Sequence, residues 1–262
     1  TSSATLIGPG TFNNYSGAVF SNSGKLEDLH FNSNSGTFNN SGTFKHFGFG
    51  NTGTLNNFGK ISGYAGGGAF DNSATLNNTG EIDVVWAYLE NSATLDNSGK
   101  LLIAYSPLYN TGTLTNSGMI DIGWGDFKNY SGATLNNSGT IHINMEGGFI
   151  NYSGATLNNS GSITGGTCTY TYTQAGGIIN NAGSISQERI EIQSGIFNQH
   201  SGSLSATNIV NNGTLNFTGG TLSADFFTNT GLFQGTGTIA AETFTNAGTL
   251  APGNSPGMLT ID

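Results

Sequence analysis

A short motif recurs along most of the chain and constrains its fold more than any other feature. The motif is Thr-Leu-x-Asn-x-Gly-x-Ile/Leu, and it occurs at residues 54–61, 75–82 and 94–101. Further copies begin at Thr113, Thr134 and Thr156. The copies recur at roughly the 20-residue period that is typical of solenoid proteins.

Within each copy, apolar and polar residues alternate, as they do in a half-buried β-strand. A six-residue segment of this kind cannot bury a hydrophobic core by itself, whereas stacked turns bury a continuous one. The sequence therefore predicts an all-β fold, a parallel β-helix (β-solenoid) of about 12 turns of roughly 17–22 residues each. We expect a single domain over residues 1–262, most regular at 37–203 and less regular at 1–36 and 204–262.

Glycine and asparagine mark the corners between the predicted strands. The recurrent glycine is expected to supply a positive φ at each corner. The recurrent asparagine is expected to turn inward, where amide-to-amide ladders between turns satisfy buried polar groups. The predicted structural ladder comprises Asn57, Asn78, Asn97, Asn116, Asn137, Asn159 and Asn181, with a second set at Asn72, Asn91, Asn110, Asn129 and Asn151.

The composition argues against several classes of partner and cofactor. The chain has 6 Lys+Arg against 15 Asp+Glu, a net charge of -9, which disfavours nucleic acid and anionic lipid as partners. No apolar run approaches the roughly 20 residues of a membrane span, so we expect no membrane insertion. The single cysteine permits no intrachain disulfide, and the four histidines lack metal-ligand spacing. No cofactor is therefore expected.

The Leu-x-Asn-x-Gly-x-Ile/Leu turns resemble those of bacterial autotransporter passengers and filamentous-haemagglutinin-type adhesins. The run at 248–261, Gly-Thr-Leu-Ala-Pro-Gly-Asn-Ser-Pro-Gly-Met-Leu-Thr-Ile, is similar to a segment common in exported bacterial repeat proteins. The resemblance implies a right-handed parallel β-helix, export, and an extracellular or cell-surface location. It covers most of the chain and says less about activity, because such families contain adhesins, matrix proteins and a few enzymes.

A threonine column precedes the inward leucines and should face outward. Its central members are Thr75, Thr94, Thr113 and Thr134. One interpretation is an ice-binding face, in which ordered hydroxyl and amide rows match a water lattice. The alternative is an ordinary strand surface, since threonine favours strands and polar residues face solvent.

A second outward column contains the residues closest to a catalytic arrangement. Asp121 and His142 should be neighbours on adjacent turns, with Asp126 and Glu146 in the loops that follow. Carboxylates with a histidine could act as general acid and base on a polysaccharide. However, Leu102 separates Asp121 from the next acid of the column, and few basic residues are near to hold an acidic sugar. Solvated surface is the favoured interpretation.

A third column is aromatic and contains Trp86, Tyr105 and Trp124. The alternation that starts at Ile82 and Val84 places Trp86 inward, which favours a structural stack at one corner. If the alternation fails where the loops begin, the rings point outward and could stack on sugars.

The favoured function is a non-enzymatic extracellular structural or adhesive rod of a bacterial surface or matrix protein. Exposed strand edges at the ends of a solenoid predict homotypic end-to-end association into filaments. A glycan or another surface ligand is the other expected partner. The alternatives are a polysaccharide-processing or polysaccharide-binding β-helix, and an ice-binding protein.

Overall fold

The computed structural model describes residues 5–30, 32–46, 48–63, 68–144, 147–165, 171–253 and 258–262. Over these residues the chain is an all-β parallel β-solenoid of about 12 turns, and they contain no helix. The predicted fold class is confirmed. Each turn adds one strand to each of three parallel faces, and every strand pairs with its equivalents on the neighbouring turns.

The first 25 strands are short and follow one another face by face. Strands β1, β4 and every third strand to β25 form face A, the strands that follow each of them form face B, and the third of each triplet forms face C. These strands are β1 (Thr5–Gly10), β2 (Asn13–Asn14), β3 (Val19–Asn22), β4 (Lys25–Leu29), β5 (Asn32–Asn34), β6 (Thr37–Asn40), β7 (Thr43–His46), β8 (Phe49–Asn51), β9 (Thr54–Asn57), β10 (Lys60–Gly63), β11 (Phe70–Asn72), β12 (Thr75–Asn78), β13 (Glu81–Val85), β14 (Leu89–Asn91), β15 (Thr94–Asn97), β16 (Lys100–Ala104), β17 (Leu108–Asn110), β18 (Thr113–Asn116), β19 (Met119–Gly123), β20 (Phe127–Asn129), β21 (Thr134–Asn137), β22 (Thr140–Asn144), β23 (Phe149–Tyr152), β24 (Thr156–Asn159) and β25 (Ser162–Gly165).

Several later strands are longer because they continue over a corner from one face to the next. The remaining strands are β26 (Thr171–Asn181), β27 (Ser184–Gln199), β28 (Ser203–Asn211), β29 (Thr214–Phe217), β30 (Thr221–Asn229), β31 (Leu232–Gly235), β32 (Gly237–Asn246), β33 (Thr249–Pro252) and β34 (Leu259–Ile261). Their pairing remains parallel and in step with the preceding turns, so the three faces continue to the last described turn.

The interior is filled by files of apolar side chains that run along the rod. On face C, Leu76 pairs with Leu95 and Leu95 with Leu114, and all three side chains are fully buried. Because each file repeats at every turn, the core is continuous from Leu26 to Ile239.

The recurrent corner glycine is required for a reason other than the expected one. Gly59, Gly80, Gly99 and Gly118 are absent from the glycines with positive φ, so the expectation of a left-handed backbone is wrong for these members of the column. Gly202, a later member, does have a positive φ of 71°. A β-carbon on Gly99 would instead lie 2.1 Å from the carbonyl oxygen of Gly80 on the preceding turn. The column is glycine because successive turns approach each other too closely at this corner for any side chain.

Two inward amide ladders run beside the apolar files. In the face C ladder each amide nitrogen donates to the amide oxygen on the next turn at 2.7–2.8 Å. Its members are Asn22, Asn40, Asn57, Asn78, Asn97, Asn116, Asn137, Asn159, Asn181 and Gln199. The face B ladder has the same polarity and comprises Asn14, Asn34, Asn51, Asn72, Asn91, Asn110, Asn129, Asn151 and Gln174, then Asn211, Asn229 and Asn246 after a gap.

The gap in the face B ladder lies at Ile192. This residue pairs with Gln174 on the preceding turn and with Asn211 on the following turn. Since every ladder amide receives its hydrogen bond from the preceding turn, an isoleucine there leaves the Asn211 Oδ1 without a donor among the described residues. The orphaned oxygen therefore follows from the polarity of the ladder.

His46 is buried in the aromatic part of the core near the amino-terminal turns. Its ring stacks on Phe44, with centroids 5.1 Å apart, and lies 5.7 Å from the ring of Phe70. Gly63 on the next turn leaves room for the ring, since a β-carbon there would lie 3.3 Å from its Cε1. Burial lowers the pKa of His46 to about 3, and contact with the Gly48 backbone opposes this only in part.

Acid is therefore expected to destabilise the rod through His46. Between about pH 6.5 and pH 3 the unfolded chain takes up a proton that the folded chain does not, so this contribution to stability is lost as the pH falls. At pH 4.5 the loss should be about 3 kcal/mol. Urea unfolding of the wild type and of His46→Leu at pH 7.5 and 4.5 measures it. An equal loss in both proteins would refute the assignment to His46.

Candidate functional site

The outward column of face A contains the acidic candidates. The strand register aligns Asp83, Leu102, Asp121 and His142 on four successive turns. The His142 Nδ1 lies 3.8 Å from the Asp121 Oδ1. Asn144 joins the two, because its amide nitrogen donates to Asp121 Oδ1 and contacts His142 Nδ1, each at 3.1 Å. The three polar side chains thus form one cluster on the surface.

The other two catalytic candidates do not extend this cluster. Asp126 accepts a hydrogen bond from the backbone N–H of Gly148 at 3.0 Å and forms an ion pair with Lys128 at 3.1 Å. Glu146 lies outside the described residues. Of the catalytic candidates that the structure describes, only Asp121 and His142 are therefore brought together.

Asp83 is the other carboxylate on this face. Partial burial raises its pKa, Lys60 at 4.0 Å opposes the shift, and Glu81 adds to it. Asp83 and Asp121 are two turns apart, about 10 Å at the usual spacing of strands, with Leu102 between them. This separation is at or beyond the upper end of the range for the paired carboxylates of inverting glycosidases.

The aromatic column lies on the outside of the rod, at the corner between faces A and B. Trp86, Tyr105 and Trp124 are 59%, 47% and 44% exposed, so the inward placement expected from the alternation is wrong. The physical reason is that all three residues have a positive φ of 59–61°, which ends the extended backbone on which alternation depends.

The three rings form one stack along the rod. The Trp86 and Tyr105 rings are 4.2 Å apart at 3°, and the Tyr105 and Trp124 rings are 6.1 Å apart at 17°. A left-handed backbone costs a bulky residue about 1–3 kcal/mol, and each ring pair recovers about 0.5–1.5 kcal/mol. Glycine and asparagine, both abundant in this chain, would adopt this backbone at lower cost. Aromatic residues at these three positions therefore make the rod less stable than glycine or asparagine would.

A shallow groove of about 340 Å³ joins the stack to the acidic column. Its polar lining is Asp83, Asp121 and Asn144, its aromatic wall is Tyr105 and Trp124, and small or aliphatic residues form the rest. In this groove the acidic and the aromatic sets of candidate residues meet.

A larger groove lies elsewhere on face A, towards the carboxyl end. Its volume is about 740 Å³, and it opens where Ala206 and Ala224 occupy the file that isoleucines such as Ile122 fill in earlier turns. It is lined by hydroxyl side chains, alanines, Gln187 and the carboxylates of Asp225, Glu242 and Asp262, and its lining contains no aromatic residue. Loss of side-chain volume accounts for this groove.

The threonine column lies on face C in the predicted order. Thr75, Thr94, Thr113 and Thr134 are paired on successive turns and are partly or fully exposed. Beside them runs the expected outward amide row, and its amides form a hydrogen-bonded ladder that was not predicted, in which each amide donates to the preceding turn. It comprises Asn39, Asn56 and Asn77, and then Asn136, Asn158, Asn180, Asn198, Asn216 and Gln234. Its amides bond along the rod, and Asp96 and Thr115 interrupt it.

A tyrosine file on face B was also missed. The rings of Tyr88, Tyr109, Tyr130 and Tyr152 follow one another with centroids 5.0–5.9 Å apart. The Lys128 Nζ lies 5.8 Å from the centre of the Tyr109 ring. These tyrosines recur once per turn in the sequence, and that spacing is the signal that could have revealed them.

The described residues contain neither a cluster of metal-ligating side chains nor a membrane-spanning helix. No group of three or more His, Cys, Asp or Glu side chains there could hold a metal ion. Within the same residues, no helix has the length and apolar character needed to cross a membrane.

Comparison with known proteins gives one similarity. Residues 63–175 match the family model of the BigA fourth domain. This segment is less than half of the 262 residues, and it contains the groove, the aromatic stack and the whole tyrosine file. No curated protein and no solved structure matches the chain.

Proposed function

We propose that the chain is a non-enzymatic structural and adhesive rod on the surface of a bacterial cell. The similarity of residues 63–175 to a domain of a bacterial surface protein family supports the location. The resemblance of the repeated turns to those of exported adhesins supports the same assignment.

One observation carries the rod function. The interior is filled along the described turns by apolar files and two amide ladders, and the grooves described above are open and shallow. A filled solenoid is a stiff spacer whose outer faces are its working surfaces. Such a rod would bind ligands or partners on its sides, at a distance from the cell surface to which it is attached.

The arrangement of charged groups supports a binding role over a catalytic one. Enzymes that cleave glycosides generally use two carboxylates on opposite sides of the scissile bond. Here Asp121 is paired with His142, Leu102 stands between Asp121 and Asp83, and Asp126 is bound to Lys128.

Surface display tests the proposal. The chain is fused to an outer-membrane anchor in a laboratory bacterium, and the cells retained on an epithelial cell layer under flow are counted. We expect retention several-fold above cells that carry the anchor alone. Retention equal to that control would contradict the adhesive role. Chain-dependent release of reducing ends from a polysaccharide panel would contradict the non-enzymatic assignment.

A further inference from the structure

The ring pair of the aromatic stack that borders the groove is spaced more widely than the other pair. Rings in full contact, such as those of Trp86 and Tyr105, have centroids 4.2 Å apart. The centroids of Tyr105 and Trp124 are 6.1 Å apart although their planes are within 17°, so these two rings are in looser contact. Both rings belong to the groove wall, and they are 47% and 44% exposed.

Polar groups line the same groove beside this aromatic wall. Asp121 and Asn144 line it, and their mutual hydrogen bond at 3.1 Å holds them in place. The Asn144 amide nitrogen is already engaged by Asp121 and His142, so Asp121 and Asn144 offer oxygen acceptors to a ligand. A ring face beside a few fixed acceptors suits a pyranose, which has apolar C–H faces and a rim of hydroxyl donors. The volume of about 340 Å³ is at the small end of ligand sites.

Charge narrows the class of ligand. The described lining of the groove contains two carboxylates, Asp83 and Asp121, and neither lysine nor arginine. A uronate or sialate would therefore be repelled, whereas an uncharged or amino-bearing sugar would not. A second copy of this chain is also disfavoured on this face, because each copy carries a net charge of -9.

We propose that this groove binds one uncharged or amino-bearing pyranose residue of a glycan, with the Tyr105 and Trp124 rings against the sugar and Asp121 and Asn144 on its hydroxyls. The inference rests on the proposed adhesive function and names the ligand class and site. The strained left-handed backbone at Trp124 is then explained, because it turns the ring out to the ligand.

The two tryptophans of the chain allow a direct test, since both are in the stack. In Trp86→Phe, Trp124 is the only tryptophan and lies in the groove; in Trp124→Phe, the reporter is Trp86, outside it. Each purified chain is titrated with oligosaccharides of glucose, galactose, mannose, N-acetylglucosamine and glucosamine, and with trigalacturonate. We expect a saturable change in Trp124 emission with at least one uncharged or amino sugar below about 10 mM, and little change from Trp86.

Variants test whether the change in tryptophan emission comes from binding in the groove. In the Trp86→Phe background, Asp121→Ala should weaken binding at least tenfold, and Thr94→Ala on face C should leave it unchanged; circular dichroism checks that each folds. No saturable change with any sugar, or equal affinity for trigalacturonate, overturns the inference. If the displayed cells still adhere, the rod function stands without this site. Cleavage of a bound glycan overturns both proposals.

Discussion

Alanine at position 99 is expected to lower the free energy of unfolding by at least about 3 kcal/mol. The new β-carbon would lie 2.1 Å from the Gly80 oxygen and 2.6 Å from the Thr79 carbonyl carbon, both backbone atoms of the preceding turn. Relief requires the turns to separate, which would break the hydrogen bond from Lys100 N–H to Gly80 oxygen, now 2.8 Å long. Overpacking of side chains alone costs about 1–3 kcal/mol, and two backbones yield less readily.

Gly50→Ala is the matched control for Gly99→Ala. A β-carbon on Gly50 would have no heavy atom within 4 Å, and the residue does not have a positive φ. We expect a change between zero and about 1 kcal/mol of stabilisation, since alanine restricts the unfolded chain. Urea unfolding followed by circular dichroism compares the two variants. Similar destabilisation by both would show that close approach of the turns is not what requires glycine at position 99.

The architecture was predictable because the repeat specifies neighbours as well as strands. Aligning the copies placed Leu76, Leu95 and Leu114 in one file, and the structure has them paired and buried. It also placed Asp121 beside His142, which are paired on adjacent turns. Parallel pairing in register makes such predictions reliable wherever the turns have equivalent backbones.

The corners limited what the sequence could predict. The inward–outward alternation of strand β13 ends at Val85 and does not apply to Trp86. The left-handed backbone at Trp86 turns its side chain to the outside of the rod. The glycine at position 99 indicated a special backbone environment, but the sequence could not show which one. A positive φ and a close approach of another backbone both require glycine. End-to-end association and the threonine face as an ice-binding surface remain predictions.

The direction in which the ladder amides donate their hydrogen bonds also could not be predicted from the sequence. The asparagine pattern predicted inward amides, but not that the inner ladders donate to the next turn and the outer ladder to the preceding one. This direction decides which atom is orphaned when a ladder is interrupted, as Asn211 is after Ile192. When an inner ladder is interrupted, the amide after the gap therefore loses a donor, whereas the amide before the gap loses an acceptor.

Asn78→Ala is expected to lower the free energy of unfolding by about 3–5 kcal/mol. The Asn78 amide donates to Asn97 Oδ1 at 2.7 Å and to the Lys100 carbonyl at 2.9 Å, and its oxygen accepts from Asn57 at 2.8 Å. Alanine leaves the Asn97 oxygen and the Lys100 carbonyl without these donors inside the rod, at about 1–3 kcal/mol for each, and adds a small cavity. Urea unfolding measures the loss.

Asn77 provides the control because it is the adjacent residue, of the same type, on the outside of the same strand. Its amide makes one bond, to Asn56 Oδ1 at 2.8 Å, where water can replace the partner, so Asn77→Ala should cost less than about 1 kcal/mol. Asn78→Gln should recover part of the loss, because Gln199 already occupies a position in the face C ladder. If Asn77→Ala and Asn78→Ala destabilise the rod equally, the buried ladder contributes no more than a surface amide row. The stability of the rod would then come from the apolar files alone.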